Sequence, residues 1–254
     1  LNDNDIKNDK MKKKQTIAIV HYNTPELTEA CIMSIRKAGC QWPVVIFDNS
    51  DERPLKKRMA GVKRIDNTQG QIIDFDELLA SHPDKCWDMA KLSNYGSLKH
   101  TASVQKLWEL LPDGFILIES DVLLRQDPSP LWQEEFASVG RIQWHQKGNQ
   151  FDIPRMLPFL CYINVPLLTA NGACYYDPKR CWAVAGATRN VRGNWYDTGA
   201  AMLEDIMRTK PQLVARNVIR LDDYYVHYKG GSWRKNDMKS KAEWLKQNEE
   251  LWSK

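Results

Sequence analysis

Short apolar runs alternate with amphipathic stretches through the first half of the chain. Thr16-Ile17-Ala18-Ile19-Val20 is a β-branched run that breaks at His21-Tyr22-Asn23-Thr24-Pro25. Leu27, Ile32 and Ile35 then recur at helical spacing as far as Gly39, with Thr24 at the N-cap and Pro25 in the first turn. Val44-Val45-Ile46-Phe47 predicts a second strand, closed by the turn-forming cluster Asp48-Asn49-Ser50-Asp51, and Val62 to Ile65 predicts a third. Val104, Leu107, Trp108 and Leu111 give a helix over Thr101 to Leu111, stopped by Pro112-Asp113-Gly114. Phe115-Ile116-Leu117-Ile118 follows as a buried strand that ends in Glu119-Ser120-Asp121.

Apolar strands separated by helices predict an α/β fold, a mostly parallel sheet with helices on both faces. Ligands of such sheets bind beyond the carboxyl ends of the strands. His21 to Asn23, Asp48 to Ser50 and Glu119 to Asp121 all fall there. Residues i and i+2 of a strand share a face, so Glu119 and Asp121 can aim at one point. Paired hard oxygens suit Mg²⁺ or Mn²⁺, and a plain solvated turn explains the same two acids equally well.

The second half is less regular. Arg141 to Trp144 predicts a strand, and Asn171-Gly172 to Tyr176 another. Asp197 opens a helix with apolar Ala201, Met202 and Ile206, ending near Lys210-Pro211. Lys239 to Trp252 forms a last amphipathic helix. Docking of that helix against the domain is one reading. A peripheral contact with the inner face of a membrane is the other. The expected organisation is a disordered lead-in over 1–14, one domain over 15–235, and the C-terminal helix over 236–254.

Composition narrows the function. With 43% hydrophobic and 27% charged residues in 254, the chain reads as soluble and globular. The net charge of +4 is too small to argue for a nucleic-acid partner, and the lead-in, with five lysines and three aspartates, carries part of it. No apolar window is long enough for a membrane span, and no signal-peptide core precedes a cleavage site, so a cytoplasmic protein is expected. Six cysteines without a C-x-x-C pair predict reduced, mostly buried thiols.

Three elements in this order resemble the nucleotide-sugar glycosyltransferases of the GT-A fold, nearest to glycosyltransferase family 2. They are the opening strand ending in His21-Tyr22-Asn23, then Val45-Ile46-Phe47-Asp48-Asn49-Ser50, then Glu119-Ser120-Asp121. The late motif from His227 through Gly230-Gly231-Ser232 to Trp233 is similar to the C-terminal histidine motif of several GT-A enzymes. The resemblance implies a nucleotide-sugar donor, UDP-linked by default, and a glycan or lipid-linked hydroxyl acceptor. It also implies a divalent cation, Mn²⁺ or Mg²⁺, and an inverting displacement, as in polysaccharide or glycoconjugate synthesis. Asp48 would bind the base or ribose beside a wall formed by His21, Tyr22 and Asn23. Asp121 and His227 would hold the metal, Glu119 would join them or face the ribose, and Ser120 would line the same edge. Asn94, Lys99 and His100 fall where family members line the diphosphate pocket.

Asp197 lies near the family's catalytic base, although Tyr196-Asp197-Thr198-Gly199 replaces the usual Glu-Asp pair. An N-cap explains Asp197 as well as a base does, and Glu204, two turns on, competes for the role. Trp182, Trp195 and Trp233 fall in polar sequence, as acceptor platforms or as ordinary packing. A dinucleotide oxidoreductase is excluded, because no Gly-x-Gly-x-x-Gly follows the first strand. A non-catalytic relative that binds nucleotide-sugar or glycan is the alternative, given Glu119 in place of the family's first Asp.

Overall fold

The computed structural model describes residues 14–80, 94–144, 154–177, 197–228 and 238–253. Strands β1 (Ile17–His21), β2 (Val44–Asp48), β3 (Val62–Asp66) and β4 (Phe115–Glu119) lie parallel in the order β3-β2-β1-β4. The sheet continues past β4 through β7 (Arg155–Ile163), β6 (Ser138–Gln143) and β8 (Ala215–Asn217), in which β7 alone runs antiparallel. A second sheet pairs β5 (Val122–Leu124) antiparallel with β9 (Tyr225–His227).

Alternation decides what each strand residue touches. Ala18, Val20, Val45, Phe47, Phe115 and Leu117 face one core, which α3 (Asn94–Leu110), α4 (Val165–Ala170) and α5 (Ala200–Glu204) cover. Ile17, Ile19, Val44, Ile46, Ile116 and Ile118 face the other, under α1 (Pro25–Lys37). The expected mostly parallel sheet with helices on both faces is what the chain forms.

The expected helix over Thr101 to Leu111 begins earlier, at Asn94. Thr24 and Pro25 stand where the sequence placed them, although the Thr24 hydroxyl makes no cap bond. Asn171 to Tyr176 is not a strand. It leaves α4 through a turn at Gly172, and its backbone donors at Tyr175 and Tyr176 bond Gln105 Oε1 on α3, at 2.8 and 3.0 Å, in place of a sheet neighbour. Nor does Asp197 open a helix. Gly199 is the N-cap of α5 at φ 80°, so Asp197 precedes the helical turn and does not share a helical face with Glu204. Past Glu204 the chain widens into a π-helical turn, Asp205–Thr209, which reaches the expected end near Lys210.

Gly199 is required twice over, by its left-handed φ and by the Met156 carbonyl oxygen that a Cβ would strike. Gly199→Ala is expected to cost ~3 kcal/mol of stability, read as a lowered denaturant midpoint at constant m-value.

The C-terminal helix α6 (Met238–Gln247) lies against α1, completed by a 3₁₀ turn at Glu249–Leu251. Leu245 is buried with Leu27, Ala30, Leu123 and Tyr228, and Trp244, Leu251 and Trp252 pack onto them. The apolar stripe that a membrane surface would need is therefore occupied by the domain itself. No helix among the described residues is long and apolar enough to cross a membrane. Cys31, Cys40, Cys161 and Cys174 are free thiols, the first three buried, while Cys86 and Cys181 lie outside the described residues.

Candidate metal and donor site

The acidic pair is built by β4 and the turn after it. Glu119 continues the face of Phe115 and Leu117 toward α3, and Asp121 closes the turn into β5. Because β5 pairs with β9 in the register Val122 to His227, the late histidine lands beside Asp121, and Tyr228 N donates to Asp121 O at 2.9 Å. His227 Nε2 lies 3.3 Å from Asp121 Oδ1 and 3.6 Å from Glu119 Oε2. Phe159 packs on the imidazole at a ring distance of 4.1 Å and fixes its plane.

One ligand atom from each of the three residues lies within 4.8 Å of the others. Two carboxylate oxygens and an imidazole nitrogen suit Mn²⁺ or Mg²⁺. Burial, and then the adjacent Asp121 carboxylate, pushes Glu119 well above the usual carboxylate range, with Arg155 pulling it back. A bound cation would relieve that crowding, so the donor set fits a divalent metal.

Around the trio stands a second ring of polar groups. Arg155, at the start of β7, forms an ion pair with Asp197, and both are largely buried. The other Asp197 oxygen accepts from Thr198 N at 2.7 Å. His100 on α3 feels the charges of Asp197, Asp121 and Arg155. Its Nδ1 meets Thr198 Oγ1 at 2.9 Å, and that hydroxyl in turn meets Tyr175 Oη at 3.1 Å. Glu204 pairs with Arg208 at 3.3 Å on the helix beyond.

The first two strand exits divide by parity. His21 and Asp48 follow the α1 face and are fully buried. Asp48 accepts from Ser50 N and Leu55 N, each at 3.0 Å, and from Arg64 Nε at 2.7 Å. His21 Nδ1 meets Thr28 Oγ1 at 2.7 Å, and its Nε2 meets the Arg53 carbonyl at 3.3 Å. Both residues thus hold the loop that follows their strands. Asn23, at φ 54°, accepts from Arg53 N and Glu52 N, which ties the first exit to the second.

Tyr22 faces the other way. Lys99 Nζ lies over its ring at 5.1 Å and over Phe75 at 5.2 Å, so one cation and two aromatic rings meet there. Ser120 is buried between the two acids. The side chain of Asn94, and Trp182, Trp195, Tyr196 and the Gly230 to Trp233 motif, lie outside the described residues. A groove of about 420 Å³ at the opposite, amino end of the strands, lined by Thr16, Pro43, Val44, Gly61 and Pro112, contains none of these groups.

Phe75, Arg155, Tyr175 and Thr198 escaped the sequence reading. Nothing flags a lone Arg155 before an apolar run, but Thr198 adjoins a residue already under suspicion.

Burial lowers the pKa of His21 and takes His100 down to about 4 from 6.5. A histidine depressed in the folded state contributes stability above pH 6.5 that is lost as pH falls toward the folded value. The raised Glu119 acts in the opposite sense, so the contrast between variants carries the information. With EDTA present, His100→Asn is expected to flatten the fall in unfolding free energy between pH 6.5 and 4.5, by up to ~1.4 kcal/mol per pH unit. An unchanged slope would show that His100 does not titrate this way.

No protein-family model matches the chain, and no curated protein matches it in sequence. Among solved structures, it is similar to the galactosyltransferase LgtC in complex with donor and acceptor sugar analogues. That likeness has 13% identity and a TM-score of 0.48, covering 79% of this chain and 72% of LgtC. Mouse xyloside xylosyltransferase 1 is similar at 10% identity and a TM-score of 0.47, over 80% of this chain and 84% of that one. The mannosyltransferase PcManGT from Pyrobaculum calidifontis, solved with GDP-Man and Mn²⁺, is more distant at 11% identity and a TM-score of 0.36, over 72% of this chain and 55% of its own. At these values the likenesses are faint. The GT-A expectation for the fold rests on the strand order itself and on the acids at the end of β4.

Proposed function

We propose that the chain is a metal-dependent glycosyltransferase, moving a sugar from a nucleotide-diphosphate sugar to a hydroxyl of a glycan or lipid-linked acceptor. The observation that carries this reading is the meeting of Glu119, Asp121 and His227 at the carboxyl end of the central strand. Paired acids and an imidazole at that edge suit a cation shared with phosphate oxygens. When bound, that cation neutralises the charge that develops on the departing diphosphate.

The chain's own groups divide the remaining work. Tyr22, Phe75 and Lys99, which meet one another, receive the nucleotide, Lys99 with its positive charge and the two rings with flat apolar faces. Asp48 and His21 serve it indirectly, by holding the loop from which Tyr22 projects. Asp197 takes the proton of the acceptor hydroxyl, and Arg155 orients its carboxylate until the acceptor arrives. Attack on the sugar from the face opposite the diphosphate then gives inversion in one displacement. A UDP-sugar is the default donor.

A second reading, a binding protein without turnover, draws on one observation. Both oxygens of Asp197 are already engaged, by Arg155 and by the Thr198 amide.

The test is a thermal-shift screen of nucleoside diphosphates and nucleotide-sugars, with Mn²⁺, with Mg²⁺ and with EDTA, followed by an assay for free nucleoside diphosphate. Stabilisation that needs the metal, together with slow diphosphate release, is the expected result. Metal-dependent binding without release across an acceptor panel would favour the second reading. No stabilisation by any nucleoside diphosphate would end both.

A further inference from the structure

Asn67, just past the end of β3, is 3% exposed and has every hydrogen-bonding position of its side chain filled. Its Oδ1 accepts from Ile72 N and Ile73 N, each at 2.9 Å. Its Nδ2 donates to Ile73 O at 3.1 Å and to Asn49 Oδ1 at 2.9 Å. Because two backbone amides point at one end of the side chain, that end must be the oxygen. The nitrogen therefore faces Asn49, whose own oxygen accepts and whose nitrogen is left to donate. Asn49 Nδ2 gives its hydrogen to Ser103 Oγ on α3 at 2.5 Å, and Ser103 Oγ donates to Lys99 O at 2.5 Å. All three side chains are buried, which shields this run of bonds from solvent.

The two ends of the run come back together. At one end, Asn67 clamps the backbone of Ile72 and Ile73. Asp74 follows and caps the short helix α2 (Phe75–Ala80), accepting from Asp76 N at 2.9 Å and Glu77 N at 3.0 Å. Phe75 is the first residue of α2. At the other end stands Lys99, and its Nζ lies 5.2 Å from the centre of the Phe75 ring. The cation and the ring that meet in space are thus tied a second time, through Ser103, Asn49 and Asn67.

Attraction between a cation and a ring tolerates a range of offsets, so it does not by itself set this one. Nor does the main chain. Between Asn67 and Asp74 the one backbone–backbone bond described is Gly70 N to Asn67 O, at 3.0 Å. The path of the segment is left to side chains, Asn67 above all. Taking the glycosyltransferase reading as its basis, we propose that Asn67, relayed by Asn49 and Ser103, is a positioning residue for the nucleotide. It holds Phe75 at its distance from Lys99, and so sets the spacing of the ring and the cation that receive the ligand.

The experiment follows the Lys99 ε-methylene by NMR of the full chain labelled with carbon-13 lysine, with Lys99→Arg to assign the signal. Ring currents from Tyr22 and Phe75 should displace it from the position of a free lysine. Phe75→Leu, which removes one ring and keeps an apolar side chain, is expected to move it part of the way back. Asn67→Ala and Ser103→Ala should move it in the same direction, and Asn67→Ala added to Phe75→Leu should change little more. Ser103→Ala removes a single hydroxyl and keeps the test open should Asn67→Ala fail to fold. A role in stability alone would lower the denaturant midpoint and leave the lysine signal in place. By calorimetry with UDP and Mg²⁺, Asn67→Ala should weaken binding about 5- to 30-fold, and the pair of changes no more than Phe75→Leu alone.

A lysine signal that stays put in these variants would overturn the proposal while leaving the glycosyltransferase reading standing. Losses of UDP affinity that add in the double variant would do the same. Were the wild type to bind no nucleoside diphosphate, that reading would fall and this proposal with it, even with the lysine signal moving as expected.

Discussion

Asp121→Ala is expected to abolish the metal-dependent part of nucleoside diphosphate binding and to lower any sugar transfer about 1000-fold. The residue is 6% exposed, and its Oδ1 lies 3.3 Å from His227 Nε2. Among the described residues no further acid joins the trio, and Glu119 is already part of it. The backbone of Asp121 still accepts from Tyr228 N in the variant, so the β5–β9 pairing should survive. Removing an acid from a crowded pair should also leave the apo protein as stable as before, or more so, since Glu119 loses its repelling neighbour. Calorimetry with Mg²⁺, with and without EDTA, separates the two effects. A variant that binds as the wild type does in both conditions would remove the metal from this site. His227→Ala is expected to follow the same course more mildly, leaving the two acids in place.

Asp197→Asn should cut transfer by two to four orders of magnitude while donor affinity stays within a few-fold. Asparagine keeps the oxygen that accepts from Thr198 N but cannot take a proton from an incoming hydroxyl. It also leaves Arg155 facing a neutral partner in a largely buried position, at a cost of roughly 2 kcal/mol. A loss of activity caused by that destabilisation must be told apart from a loss of the base. Adding Arg155→Gln should recover much of the stability and none of the turnover. Transfer retained in Asp197→Asn would move the base elsewhere. Glu204, bonded to Arg208 beyond the Gly199 bend, would then be the next residue to change.

The first half of the fold could be read because its strands are apolar on both faces and its helices are not. The runs at Ile17, Val44 and Phe115 mark β1, β2 and β4 within a residue. The acids after β4 and His227 could also be read as partners, yet only the register of β5 with β9 says why they meet. The same alternation, followed one residue further, separates Tyr22 from His21 and Asp48, which face α1. Loop residues taken together in the sequence thus serve opposite sides of the sheet. Asp197 misled for a local reason. Asp is a favoured cap, but the chain needs a left-handed residue against Met156, and Gly199 takes that place. Arg155 and Tyr175 became visible only when distant segments were packed together. The strand expected at Tyr176 failed because Gln105 captures its backbone donors.

The pairing of β9 with β5 also bears on how the protein matures. Two of the three candidate ligands are fixed by a strand near the middle of the chain, and the third waits on a strand that emerges from the ribosome far later. A polypeptide interrupted before Tyr225 could complete most of its main sheet yet hold an acid pair with no imidazole to finish the cage.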